Sequence, residues 1–374
     1  MKKIAIAVCA LLGILMLSST LDAYNYSYYE EPIETAPAMI IKDVITSDEM
    51  LMSYEDNDYN IRMTNPVDVF VYDDQIYIVD NEQDKLIVLD EDYNVTREYP
   101  SSIQGHPDHS DSLDENALLN NPSSVHVDES TIAVADTDNG RIAVFDHDFN
   151  LIETHGRPDD ITFEQSEIDY RPQKITRDTS GRFYVVAQGI YEGIIELESN
   201  GAFTRYTGVT RVAVTPLEVF WMNFMTEEQR EQMQLRLPPS FLNVHMNRNN
   251  FLYTVSNPSD PELGNNMIKR INPRGIDVLK DQGFFPPKGD VEFVLESEVV
   301  ESGPSSLNDI TVNDYGIYSV LDNRRGRIFT YDHEGNLLYI TGRMGSQRGN
   351  FNSPQGLDYH NDDLVVVDSE KRSL

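Results

Sequence analysis

Asp68, Asn243 and Asp309 stand at one equivalent place in an internal repeat of this chain, and Asn308 lies beside the last of them. Carboxylate and amide oxygens are the donors that Ca²⁺ takes, so Asp68, Asn243, Asn308 and Asp309 are candidate metal ligands. The other copies place Ser124, Lys174 and Gly356 at the same position. Lys174 would neutralise the acids, so the set also reads as a polar, water-filled channel mouth in which Asp68, Ser124, Lys174, Asn243 and Asp309 meet a ligand. Two residues further on, His126 and His245 share a second place with Phe70, Thr176, Thr311 and Asp358. Two imidazoles in equivalent sites are a start towards Zn²⁺, while the mixed company favours packing between neighbouring units. There is no H-E-x-x-H, G-x-S-x-G, phosphate-binding glycine loop or C-x-x-C. A catalytic residue is therefore not assignable from the sequence.

The elements that would position these residues are short and repetitive. NPVDVFVYDDQIYIVD from Asn65, NPSSVHVDESTIAVAD from Asn121, NDITVNDYGIYSVLD from Asn308 and SPQGLDYHNDDLVVVD from Ser353 share one plan. Each has an alternating apolar strand, a polar turn, a second β-rich strand and a final Asp. Pro66 to Asp80, Pro122 to Asp136 and Pro354 to Asp368 are all fourteen residues apart. Less regular copies run from Arg171 to Thr207 and from about Pro239 to Leu279, with Gln188 and Ser256 in place of the Asp. Such a period marks a repeat architecture. Short strands at regular spacing with little helix between them predict an all-β, six-bladed β-propeller whose sixth copy, stopping at Leu374, is incomplete. Residues 215–238 break the pattern and read as a short helical insert, with Thr226 and Gln229 in a capping box.

The 374 residues carry a net charge of −34, which disfavours nucleic acid and anionic lipid as partners. Lys2 and Lys3 followed by the apolar run Ile4 to Leu17 predict a signal peptide over residues 1–23, and hence a secreted or cell-surface protein, with an uncleaved N-terminal anchor as the alternative. The mature chain would have no membrane span and, with Cys9 removed, no cysteine. Residues 24–60 read as an extended, unpacked lead-in that includes a candidate closing strand over 39–45. Residues 61–374 form the propeller.

GRMGSQRGNFNSPQGLDY, Gly342 to Tyr359, resembles the linker and first strand of the NHL repeat. Ala135–Asp146 and Leu321–Asp332 resemble its second half, and the resemblance spans about residues 60–374. The layout, with its Tyr-rich lead-in and its insert, is also similar to secreted Firmicutes-type NHL-repeat proteins, a group without a settled biochemical role. The resemblance implies that Asp136 with Arg141 and Asp322 with Arg327 are structural pairs, with Lys85 standing opposite Asp80 in the first copy. It also implies two functions. One is an exported binding or scaffold module that recognises a protein, carbohydrate or cell-envelope ligand through rim loops and channel mouth, and needs no cofactor. The other is a lactonase-like hydrolase or lyase with Ca²⁺ at the channel mouth.

Overall fold

The computed structural model describes residues 23–27, 29, 32–36, 38–55, 57–164, 169–209, 240–257, 267–280 and 305–374. The helical segment expected over 215–238 and most of the expected signal peptide lie outside the described residues. Strands β1 (Ala23–Tyr26) and β2 (Pro32–Thr35) form a hairpin, and β3 (Leu51–Tyr54) and β4 (Asn57–Asn60) form another. Three four-stranded meanders follow. The first is β5 (Pro66–Tyr72), β6 (Gln75–Asp80), β7 (Lys85–Leu89) and β8 (Val95–Tyr99). The second is β9 (Pro122–Val127), β10 (Ile132–Asp136), β11 (Arg141–Phe145) and β12 (Leu151–His155). The third is β13 (Pro172–Arg177), β14 (Phe183–Ala187), β15 (Ile194–Leu197) and β16 (Phe203–Thr207). The fourth sheet has three strands among the described residues, β17 (Ser240–Met246), β18 (Leu252–Asn257) and β19 (Ile268–Ile271). The fifth has β20 (Leu307–Val312), β21 (Tyr318–Asp322), β22 (Arg327–Tyr331) and β23 (Leu337–Thr341), and the chain ends with β24 (Pro354–His360) and β25 (Asp363–Asp368).

The chain is an all-β propeller, but among the described residues five sheets, not the expected six, have three or more strands, and the two-stranded ribbon β24–β25 stands where the expected incomplete sixth copy falls. The inner strands β5, β9, β13, β17, β20 and β24 touch in that order, and β24 touches β5, which closes the ring. Apolar cores lie between successive sheets. The second strands are buried on both faces, as in Ile132–Asp136 and Tyr318–Asp322, because each sheet is covered on either side. Outer strands such as β12 are mostly exposed. A fully buried Val, Ile, Leu or Phe contributes about 1.5–3 kcal/mol, so these interfaces carry the stability of the ring.

The lead-in is not unpacked. β1 pairs antiparallel with the outer strand β23, Ala23 opposite Thr341 and Tyr24 opposite Ile340, which makes the fifth sheet six-stranded. The pairing gives an outer edge the partner it would otherwise expose. The segment expected to close the ring meets the C-terminus at Ile45 and Thr46. Ile45 and Leu374 exchange backbone hydrogen bonds of 3.0 and 2.9 Å, and Thr46 bridges Ser373. The β3–β4 hairpin then buries Met50 and Met52 against Ile76, Ile87 and Val367. The outer edge of β25 is bridged at Asp368, to Ser373. Beside it lies a groove of about 450 Å³ whose lining includes Ile40, Phe351, Leu364 and Val366.

The terminal Asp of each full repeat is a staple. Asp80 accepts the backbone N–H groups of Thr64 and Asn65 at 2.5 and 3.2 Å, and Asp368 accepts those of Asn352 and Ser353 at 2.6 and 3.1 Å. Asp136 accepts Asn120 N at 2.7 Å and, as expected, Arg141 Nε at 2.6 Å. Arg325 reaches Asp322 at 3.3 Å, and Arg327, opposite Asp322 in the ladder, lies over the Tyr24 ring at 5.2 Å. One partner differs from the expectation: Lys85 bonds Glu98, at 2.7 Å.

Candidate ligand site in the central channel

Every inner strand carries the same irregularity. Pro66 is opposite Asp80 and Asp68 opposite Val79, so Val67 is an extra, bulged residue. The register shifts identically between Pro172 and Lys174, Phe241 and Asn243, Leu307 and Asp309, and Pro354 and Gly356, and its counterpart in β9 falls between Pro122 and Ser124. A β-bulge re-aims the side chain that follows it. The six aligned residues become a layer across the channel for that reason.

The layer brings most of the candidate residues together. Lys174 Nζ lies 2.5 Å from Asp68 Oδ1, and Asp68 Oδ2 accepts Val125 N at 3.0 Å. Asp309 accepts the Asn243 amide, Ile310 N at 2.7 Å and Leu357 N at 2.8 Å. Ser124 Oγ accepts Ile175 N at 3.4 Å. Gly356 leaves the room they need, since a Cβ there would stand 3.2 Å from Asp309 Oδ2, Asp68 Cα and Val69 N. Burial, and then the charge of Asp68, pushes the Asp309 carboxyl up to about 7 against the pull of Lys174. Burial works against the Lys174 ammonium, but Asp68 and Asp309 outweigh it and raise its pKa.

Asn308 departs from the layer. It is the bulged residue of β20, and its Nδ2 donates to Gln355 O, 2.8 Å away on the next inner strand. Most of the carboxylate oxygens that would face a Ca²⁺ ion here already have partners within the protein. Asp68 is already matched by an ammonium and Asp309 by an amide and two N–H groups, while the buried Asn308 Oδ1 has no hydrogen-bond partner. Among the described residues no three His, Cys, Asp or Glu side chains lie close enough to hold a metal ion.

The second layer opens into a funnel of about 920 Å³ at the end of the channel where the first turn of each sheet lies. Its floor holds Phe70, with the His126 ring 4.9 Å away edge-on and the His245 ring 6.0 Å away and stacked. Burial pushes the His126 imidazole down to about 3 and lowers His245 too, which favours the uncharged ring in both. Asp358 Oδ2 accepts Val71 N at 2.7 Å, and its Oδ1 accepts Thr311 Oγ1 at 2.5 Å and Tyr359 N at 2.8 Å. The wall and rim carry Arg177 on Asp128 at 2.8 Å, Arg248 on Asp314 at 2.9 Å, and the exposed Tyr315. These rim residues were missed by sequence reasoning. Their signal is faint: polar turns such as Asp73–Asp74, where two consecutive residues take positive φ of 49° and 59°, look like ordinary hairpin chemistry.

A closed ring of radial sheets around a polar channel defines a β-propeller. No protein-family model matches the chain, and no curated protein matches it in sequence. Among solved structures it is similar to a structural-genomics protein of unknown function from Bacteroides thetaiotaomicron, with TM-score 0.52 and 12% identity over 92% of this chain and 78% of that one. A streptogramin B lyase aligns with TM-score 0.47 and 13% identity over 83% of this chain and 78% of that one. Virginiamycin B lyase from Staphylococcus aureus aligns with TM-score 0.45 and 13% identity over 82% and 80%. These likenesses bear on the fold alone. Among the described residues no helix is long and apolar enough to cross a membrane.

Proposed function

We propose that this chain is an exported six-bladed propeller of the NHL type, secreted or held at the cell surface, that works as a binding or scaffold module. Its ligand is a protein or carbohydrate of the extracellular space or cell envelope, recognised through the rim loops and the mouth of the channel. One observation carries the reading: the acids of the inner layer are already compensated within the protein, while a funnel of about 920 Å³ lined largely by polar and charged residues opens beyond it. Concave sites with a few placed polar groups around an aromatic floor are where proteins take ligands.

Immobilised protein is exposed to a cell-envelope extract and to a glycan array, beside a Tyr315→Ala/Arg248→Ala variant of the rim. Retention by the parent protein that the rim variant loses supports the reading. The competing reading is a Ca²⁺-dependent lactonase-like hydrolase or lyase, favoured by the convergence of Asp68, Asn243 and Asp309 on one layer. Calorimetric titration of Ca²⁺ into chelator-treated protein decides between them. Heat at micromolar metal, together with lactone hydrolysis lost in Asp309→Ala, would replace the binding-module reading.

A further inference from the structure

The two layers of the channel treat their buried carboxylates differently. Asp68 has the Lys174 ammonium. Asp358, 5% exposed, has three hydrogen-bond donors and no ion pair with any described residue. Among described groups the cation-forming one that acts on its charge is His245, an imidazole whose pKa burial lowers. A buried carboxylate facing a cavity without a counter-cation is costly, and burial accordingly raises its pKa.

The walls extend the same asymmetry. Eight carboxylates line the funnel against two guanidinium groups and no lysine. Both guanidinium groups are held by rim acids, Asp128 and Asp314. Asp73, Glu129 and Asp362 are exposed and have no ion pair with a described residue. Tyr72, near the rim, has its phenol pKa raised by burial and then by Glu129, Asp73 and Asp128, as a negative potential requires.

We infer that the funnel takes a ligand bearing an organic ammonium group, seated against the Phe70 ring and charge-matched by Asp358. The inference rests on the binding-module reading and names the chemistry of its ligand. An aromatic face attracts an ammonium by its quadrupole, and more strongly when water is excluded. In their uncharged form the imidazoles of His126 and His245 offer ring faces and a nitrogen lone pair, and repel no cation. An inorganic ion fits less well, because the funnel groups do not converge closely enough to coordinate a point charge. An ammonium on a carbon frame spans the distance between floor and rim. Two sources carry this group: a lysine side chain of a protein and an amino sugar of a glycan.

The test is titration calorimetry with four probes: a blocked Gly-Lys-Gly tripeptide, its Nε-acetyl form, a glucosamine trimer, and an N-acetylglucosamine trimer. At least one ammonium probe is expected to bind, and its acetylated partner to bind about ten-fold more weakly or worse. Which ammonium probe binds identifies the source. Asp358→Asn is expected to weaken the ammonium probe by a similar factor. The exposed triple variant Asp73→Asn/Glu129→Gln/Asp362→Asn weakens it too, and leaves the core untouched should Asp358→Asn fail to fold. Equal binding of acetylated and free probes overturns the inference while leaving the binding module standing. So does a rim-dependent envelope ligand in the absence of binding by any of the four probes. Unchanged affinity in the triple variant, with Asp358→Asn folded and also unchanged, overturns it as well.

Discussion

Lys174 Nζ and Asp68 Oδ1 are 2.5 Å apart and 106 residues apart in the chain. They belong to the third and first sheets, so the lysine reaches past the intervening inner strand, whose equivalent residue is the short Ser124. With side chains 14% and 8% exposed, the pair ties non-adjacent blades across the channel, and the Lys174 charge also acts on Asp309.

Removing that ammonium leaves two carboxylates in one buried layer. Lys174→Met is therefore expected to destabilise the protein by about 3–5 kcal/mol, the usual cost of stranding a buried charge. Urea unfolding followed by tryptophan fluorescence and circular dichroism measures it. A loss below about 1 kcal/mol would mean that water reaches the layer and screens it.

Two buried groups set opposing pH dependences. The Asp309 carboxyl is raised from 3.8 to about 7, so the folded state holds a proton that the unfolded state has released. Its contribution is fully present below pH 3.8 and is lost as pH rises towards 7. The His126 imidazole is lowered from 6.5 to about 3, so its contribution is present above pH 6.5 and is lost as pH falls towards 3. The two slopes oppose one another between about pH 4 and 6.5, each unit being worth about 1.4 kcal/mol per group. Asp309→Asn should leave stability that rises with pH across that window, and His126→Gln stability that falls. Parallel unfolding curves at pH 4.5, 5.5 and 6.5 test both, and two variants with the same slope would refute the assignment.

Gly356 is the one copy of the aligned position without a side chain. An Ala there brings its Cβ to 3.2 Å from the Asp68 backbone and from the Asp309 carboxylate. Gly356→Ala is expected to cost about 1–3 kcal/mol by overpacking, with the charge of the layer unchanged. A variant as stable as the parent would show that β24 can move outward freely.

Ring closure rests on few bonds. Deleting residues 371–374 removes the Ile45–Leu374 and Thr46–Ser373 pairings and bares the edge of β25 beside its apolar groove. Unpaired β edges recruit other chains, so the truncated protein should dimerise or aggregate at concentrations where the full chain does not. Light scattering on both forms decides, and a monomeric truncation of unchanged stability would assign closure to side-chain packing instead.

The parts legible in the sequence are those built from local rules. Alternating apolar residues ending in Asp80, Asp136, Asp322 and Asp368 mark strand pairs, because both the period of a strand and the reach of a staple act within about sixteen residues. Aligning the copies was enough to place Asp68, Lys174, Asn243 and Asp309 in one layer, since equal register in equivalent strands means equal depth in the channel. What spacing hides is the bulge that sets Asn308 beside the layer: the fourteen residues from Pro to Asp already contain it.

What only the tertiary structure decided depends on contacts between distant segments. Tyr24 and its neighbours form a strand because β23 offers an unpaired edge about 316 residues away, a choice that backbone hydrogen bonding makes without a sequence code. The same holds for Ile45 meeting Leu374, and for Asp309 spending its oxygens on Asn243, Leu357 and Ile310. The channel is tight at the Asp68 layer and open at the Phe70 and Asp358 layer. That difference arises from side-chain volumes and charges summed around six inner strands, and no single repeat contains it.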